Sequence, residues 1–123
     1  MKFYVCEHCG NIITKFNDSK VPVVCCGEKM KELVPGTSDG AVEKHVPIVV
    51  LDGRSVHVIV GSVLHPMVDV HYIQWIVVET TKGIHKYNLL PNEEPKVEVR
   101  LADNEEFVSA YEYCNLHGLW KSN

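Results

Sequence analysis

Four cysteines crowd into the first 26 residues, as Cys6-Glu7-His8-Cys9 and Cys25-Cys26, and nothing else in the sequence restricts the fold so strongly. A segment of roughly thirty residues cannot bury enough apolar area to offset its own chain entropy. This one also shows no sustained run of large aliphatic residues. It needs a staple. The N-terminus reaches the first cysteine pair without a secretory hydrophobic stretch, and no apolar run approaches the roughly 20 residues of a membrane span. A cytoplasmic protein is therefore expected, with no membrane partner. In that reducing compartment five cysteines serve as metal ligands rather than disulfides. The fifth, Cys114, lies so far from the others that two separate sites are indicated.

Cysteines separated by two residues can place both thiolates on one metal, because the chain between them folds into a tight knuckle whose backbone N–H groups point at the sulfurs. Gly10 and Gly27 follow the two pairs and allow the close backbone approach such knuckles require. Four thiolates suit tetrahedral iron or zinc. The spacing alone would suit a zinc ribbon. Direct adjacency of Cys25 and Cys26 departs from the ribbon pattern of two spaced pairs, forces a distorted tetrahedron, and favours iron. His8, inside the first pair, is expected to face solvent.

Val34-Pro35-Gly36-Thr37-Ser38-Asp39-Gly40 gathers turn formers and reads as a linker. We place the domain boundary within it, giving a metal module over 1–36 and a second domain over 37–123. Beyond it come short β-branched and aromatic runs at 46–51, 55–60, 72–79, 84–90, 97–101 and 107–113, punctuated by Asp52-Gly53, Lys82-Gly83 and Pro91-Asn92. That spacing predicts an all-β sandwich or barrel. Val56, Val58 and Val60 alternate with His57 and Ile59, and Val97, Val99 and Leu101 with Glu98 and Arg100, as half-buried strands do. No amphipathic helix is apparent. With a net charge of −4 and no Lys/Arg cluster, the chain has no nucleic-acid surface, and any anionic ligand must be attracted locally.

The β region carries three histidine groups: Glu43-Lys44-His45, His65-Pro66-Met67-Val68-Asp69-Val70-His71, and Cys114-Asn115-Leu116-His117. A cysteine and a histidine three residues apart at a strand end can reach one metal. His65 and His71 flank a loop long enough to turn back on itself. Imidazoles on a β scaffold suit iron, copper or zinc. His57 and His85 lie inside strand-like runs and are left out of any site.

The cysteine pattern Cys6-x-x-Cys9-Gly10 with Cys25-Cys26-Gly27 resembles desulforedoxin and the N-terminal module of desulfoferrodoxins, which binds one ferric ion and lies at a homodimer interface. The three histidine groups resemble the neelaredoxin or superoxide reductase domain. The resemblance covers both modules and implies a mainly β protein, a small rubredoxin-like module followed by an immunoglobulin-like sandwich. It implies two irons per chain. Cys6, Cys9, Cys25 and Cys26 would hold one, and the other would have His45, His65, His71 and His117 as equatorial ligands and Cys114 as the axial one. It further implies reduction of superoxide to hydrogen peroxide, with Lys44 attracting the anion and Glu43 helping product depart. A rubredoxin-like electron donor and a homodimer complete the expectation.

Two rivals fit less well, and a third, dismutation, is left open by the sequence. A blue-copper site would place a methionine after the Cys-x-x-His pair, but Gly-Leu-Trp-Lys-Ser-Asn follows His117. An electron carrier using the four-cysteine site alone leaves the histidines without a purpose. A dismutase differs only in also oxidising superoxide.

Overall fold

The computed structural model describes residues 1–123 and divides into two compact units, Met1–Val34 and Pro35–Asn123. In the first unit β1 (Phe3–Val5) is the middle strand of a three-stranded antiparallel sheet, flanked by β2 (Ile12–Ile13) and β5 (Lys31–Leu33). A separate hairpin pairs β3 (Val24–Cys25) with β4 (Glu28–Lys29). The buried apolar side chains of this unit are Phe3 and Cys6. So small a core cannot hold five short strands together unaided, as the composition anticipates.

The second unit opens with one helical turn, α1 (Val42–His45), followed by β6 (Pro47–Asp52), β7 (Ser55–Val60), β8 (Ile73–Thr80), β9 (Gly83–Asn88), β10 (Lys96–Arg100), β11 (Phe107–Cys114) and β12 (Gly118–Lys121). They form a three-stranded sheet, β10-β7-β6, and a four-stranded sheet, β12-β11-β8-β9. The core joins Val56, Val58, Val60 and Val99 of the first sheet to Ile73, Ile76, Val78, Ala110 and Cys114 of the second. The alternation read in the sequence is the cause: Val56, Val58 and Val60 are buried while His57 and Ile59 point outward. Gly53 turns the β6–β7 hairpin with φ 59, the left-handed conformation that a two-residue hairpin loop demands.

Six of the expected strands are present, with ends shifted by a residue or two. Three features differ. Strand β12 was not anticipated, because Gly118–Lys121 is short and begins at a glycine. Turn α1 has four residues, too few to leave a helical period in the sequence. The stretch read as a linker belongs, from Pro35 onward, to the second unit, where the Gly36 amide donates to the Leu119 carbonyl at 2.9 Å.

Candidate metal centres

In the first unit the four cysteine sulfurs lie within 4.8 Å of one another. The Cys6–Cys9 knuckle is built by backbone: the Cys6 amide donates to the Asn11 carbonyl, and the Gly10 amide to the Cys6 carbonyl, both at 2.9 Å. Adjacent ligands require the chain to reverse between them. Cys26 accordingly sits at φ 52 and Gly27 at φ 78, so a non-glycine residue is held in the left-handed region to aim its sulfur. The Cys9 amide, pointing at Cys6 Sγ from 3.5 Å, pulls the Cys6 thiol down to about 6. Hydrogen bonding to Cys6 and Cys9 instead raises Cys25, and pushes Cys26 up to about 12. One thiolate forms readily here and four do not, unless a cation neutralises them; the donor set fits a thiophilic metal. His8 is exposed and lies 3.3 Å from Glu28, facing away from the cluster's chemistry as expected.

The second unit brings His45, His65, His71 and Cys114 together, with their ligating atoms within 4.8 Å of one another. His117 joins them, its Nδ1 3.1 Å from His45 Nε2 and 3.8 Å from Cys114 Sγ. The four rings form a square. Successive ring centroids are 4.8 Å apart for His45 and His65, 4.7 Å for His65 and His71, 5.1 Å for His71 and His117, and 4.8 Å for His117 and His45. The His45–His71 distance of 6.5 Å is a diagonal of that square. Cys114 Sγ is fully buried beside all four.

Backbone contacts decide which nitrogen two of the rings offer. His45 Nδ1 donates to the Ala41 carbonyl at 2.7 Å and His65 Nδ1 to the Pro66 carbonyl at 2.6 Å, leaving Nε2 of both as lone-pair donors. Nε2 of His65 and of His71 are buried with no hydrogen-bond partner. Buried polar atoms rarely go unpaired, and a metal ion is the partner that two converging lone pairs fit. Burial pulls His65 down to about 4 and lowers His45 and His71 as well, which favours in these three rings the neutral form that a ligand needs. Burial raises the Cys114 thiol, so metal binding there must release its proton.

Several elements aim these side chains. A register shift between Tyr113 and Cys114 pairs Cys114 with Ile73 and skips Gln74; this bulge re-aims the sulfur at the strand end. Asn115 grips the His71 segment through Tyr72 N at 3.0 Å and Val70 O at 3.1 Å. The 65–71 loop does turn back, closed by paired hydrogen bonds of 3.0 Å between Val68 and His71. Glu43 and Lys44 are exposed on α1, immediately before His45. The Glu43 carbonyl accepts from Val63 N at 2.9 Å and Ser62 Oγ at 3.2 Å. A side chain at Gly61 would come within 2.5 Å of that same carbonyl, so only glycine allows the approach. Lys44 is close enough that its charge disfavours protonation of His45 and His71.

Sequence reasoning did not single out Asn115, Gly61, Ser62 or Trp120, nor the fully buried Glu112, whose carboxyl burial pushes up to about 9. The adjacency of Asn115 to Cys114 was the one available signal. His57 is exposed on the outer face of β7, and His85 is 3.1 Å from Glu105; neither approaches the cluster.

Residues 1–33 match the desulfoferrodoxin N-terminal domain and residues 37–123 the desulfoferrodoxin domain. A desulfoferrodoxin homolog of Archaeoglobus fulgidus is 44% identical over 122 residues, 99% of this chain and 96% of that protein. The desulfoferrodoxin of Nitratidesulfovibrio vulgaris is 44% identical over 121 residues, 98% and 94% of the two chains. Among solved structures, the superoxide reductase of Treponema pallidum superposes with a TM-score of 0.81 at 36% identity, covering 99% of this chain and 98% of that one. A superoxide reductase of Giardia intestinalis gives a TM-score of 0.57 at 33% identity, over 65% of this chain and 95% of that one.

Proposed function

The chain belongs to the desulfoferrodoxin family, and from that premise we propose how its two sites serve the reduction of superoxide to hydrogen peroxide. The protein is a superoxide reductase: each superoxide takes up one electron and two protons and leaves as hydrogen peroxide. The observation that carries the reading is the square of four imidazoles closing on a buried thiol, with two of its nitrogens unpartnered. His45, His65 and His71 through Nε2, His117 through Nδ1, and Cys114 would hold one iron; Cys6, Cys9, Cys25 and Cys26 would hold the other. When bound at the histidine site, ferrous iron supplies the electron.

The protein's own groups do the rest. Lys44 offers positive charge beside His45 and His71, so a chain of net charge −4 still draws a small anion to this site. Cys114, as a thiolate, pushes electron density toward the metal, the lever that thiolate ligation provides in other iron proteins. Glu43 shares the exposed turn with Lys44 and assists departure of the product. The Gly61–Val63 segment fixes the turn's backbone so that both side chains start from a defined place. We assign the four-cysteine site to the first unit, Met1–Val34, and catalysis to the second, Pro35–Asn123.

A small rubredoxin-like iron protein fits as electron donor, and the cytoplasm as location, where five free thiols can persist for metal binding. A homodimer follows from the likeness of the N-terminal module to desulforedoxin; Phe16, 93% exposed, gives that module apolar surface for a second copy. Elemental analysis should find two irons per chain. Ferrous protein mixed with superoxide should give one hydrogen peroxide for each superoxide consumed; one for every two would identify a dismutase and overturn the assignment.

A further inference from the structure

We propose that Trp120 is a positioning residue of the histidine site, setting the plane of the His45 ring and the backbone of His117 at once. This rests on the reading of His45 and His117 as ligands. Trp120 is buried on β12, its indole stacked on the His45 ring with centroids 4.9 Å apart and planes inclined by 27°. Its Nε1–H donates to the His117 carbonyl at 3.0 Å. One rigid side chain thus touches the ring of His45 and the backbone of His117, two residues 72 positions apart whose ring nitrogens lie 3.1 Å from each other.

The stack has a direction in energy as well as in space. An imidazole bound to a cation loses electron density, and the electron-rich face of an indole attracts a positively polarised ring more than a neutral one. Trp120 therefore favours the metal-loaded state of His45 over the empty one. The hydrogen bond acts on geometry: His117 lies three residues after Cys114 on a tight turn, and its carbonyl orientation decides where the ring can point. A second donor, the Ser38 hydroxyl, reaches the same carbonyl from the 36–40 strap. That strap runs close to the rings: a Cβ at Gly40 would lie 3.2 Å from both His117 and His45, a contact to which the rings would have to yield by a few tenths of an ångström.

Residues that orient metal ligands typically change metal affinity by about ten- to a hundredfold when removed. Trp120→Leu, which removes both contacts, should lower ferrous-iron affinity of the histidine site by that amount in chelator competition. It should also change the ferric thiolate absorption band and the electron paramagnetic resonance signal. Trp120→Phe keeps a stacked ring and loses only the donor; with Ser38 still on the carbonyl, its affinity should fall a few-fold and its signals shift less. The four-cysteine iron of the same molecules should keep its parental affinity throughout.

His45→Ala and His117→Ala run in parallel must each lose iron from the histidine site. If they retain it, the ligand reading fails, whatever Trp120 does. If they lose it while Trp120→Phe binds iron with parental affinity and parental spectra, Trp120 merely fills the core and the proposal is overturned. A lower melting temperature of the metal-free variants with unchanged affinity has the same meaning. Should Trp120→Leu fail to fold, Trp120→Phe alone decides, because the proposal requires both contacts.

Discussion

The two candidate iron sites solve the same task, gathering ligands, in opposite ways. The four cysteines of the first unit come from a stretch of 21 positions, 6 to 26, and Cys9 and Cys26 remain exposed. In the second unit the ligands run from His45 to Cys114 and His117, are held on a loop, a turn and a strand end, and include the buried Cys114, His45 and His65. In the first, the metal is the core; in the second, a packed sandwich exists and the site is set into its rim. The consequence is that damage to one should spread through its whole unit, whereas damage to the other should stay chemical.

Cys114→Ser tests the second half of that contrast and should have the largest effect. The hydroxyl is a poor and normally protonated ligand, so the ferric thiolate band of the histidine site should vanish and superoxide reduction fall by more than about a hundredfold. The sandwich strands should keep their amide protection. A variant retaining both band and activity would remove Cys114 from the site.

Cys9→Ser tests the first half. Losing one of four ligands should leave residues 1–34 exchanging amides like an unfolded chain, while pre-reduced protein still reacts with superoxide within about twofold of the parent rate. If that rate collapses while the histidine site still holds iron, the two units are not independent.

Lys44→Ile should slow the second-order reaction by about tenfold at low ionic strength and less at high salt, because charges beyond roughly 10 Å are screened at 0.1 M. Lys44→Arg should recover most of the loss through its charge, though not the geometry of a compact ammonium. Equal rates and salt slopes for Lys44→Ile and the parent would return Lys44 to the ordinary surface.

The smallest effect concerns the sandwich away from iron. Thr80 Oγ1 at 2.6 Å, the Ala102 amide at 3.0 Å and His85 at 3.1 Å hold the Glu105 carboxyl down to about 2. Its folded pKa lies below its ordinary 4.5, so its contribution to stability is present above that value and is lost as pH falls toward about 2. Acid titrations of melting temperature should show this loss in the parent and not in Glu105→Gln; identical curves would free Glu105 of the role.

Much of this was legible because it depends on local pattern. Val56, Val58 and Val60 announce their strand by alternation, and Cys6-x-x-Cys9 with Cys25-Cys26 announces a metal by spacing. The histidine groups could be found but not arranged, since the order of rings around the square comes from contacts between segments as far as 72 residues apart. Family resemblance filled that gap. Turn α1 spans barely one helical period, too little to show a repeat, and Gly61 matters for what its missing side chain lets Glu43 do. Trp120 stands with Leu119 between a glycine and a lysine, and nothing there announces either of its two contacts. Contacts between distant segments leave no mark on either segment alone.

The spacing of ligands along the chain also sets an order in time. A polypeptide emerging N-terminus first has delivered Cys6, Cys9, Cys25 and Cys26 before His45 has been made, and N-terminal units fold first during synthesis. The four-cysteine site can close on its ion at that stage. The histidine square cannot, because its last corner is His117 and β11 and β12 must first pair to put Cys114 in place. Nascent chains arrested with residues 1–44 outside the ribosome should therefore already retain metal, and those arrested before His117 should hold no second ion. Iron scarcity during synthesis would then yield molecules filled at the first site and empty at the second, a population that native mass spectrometry can count.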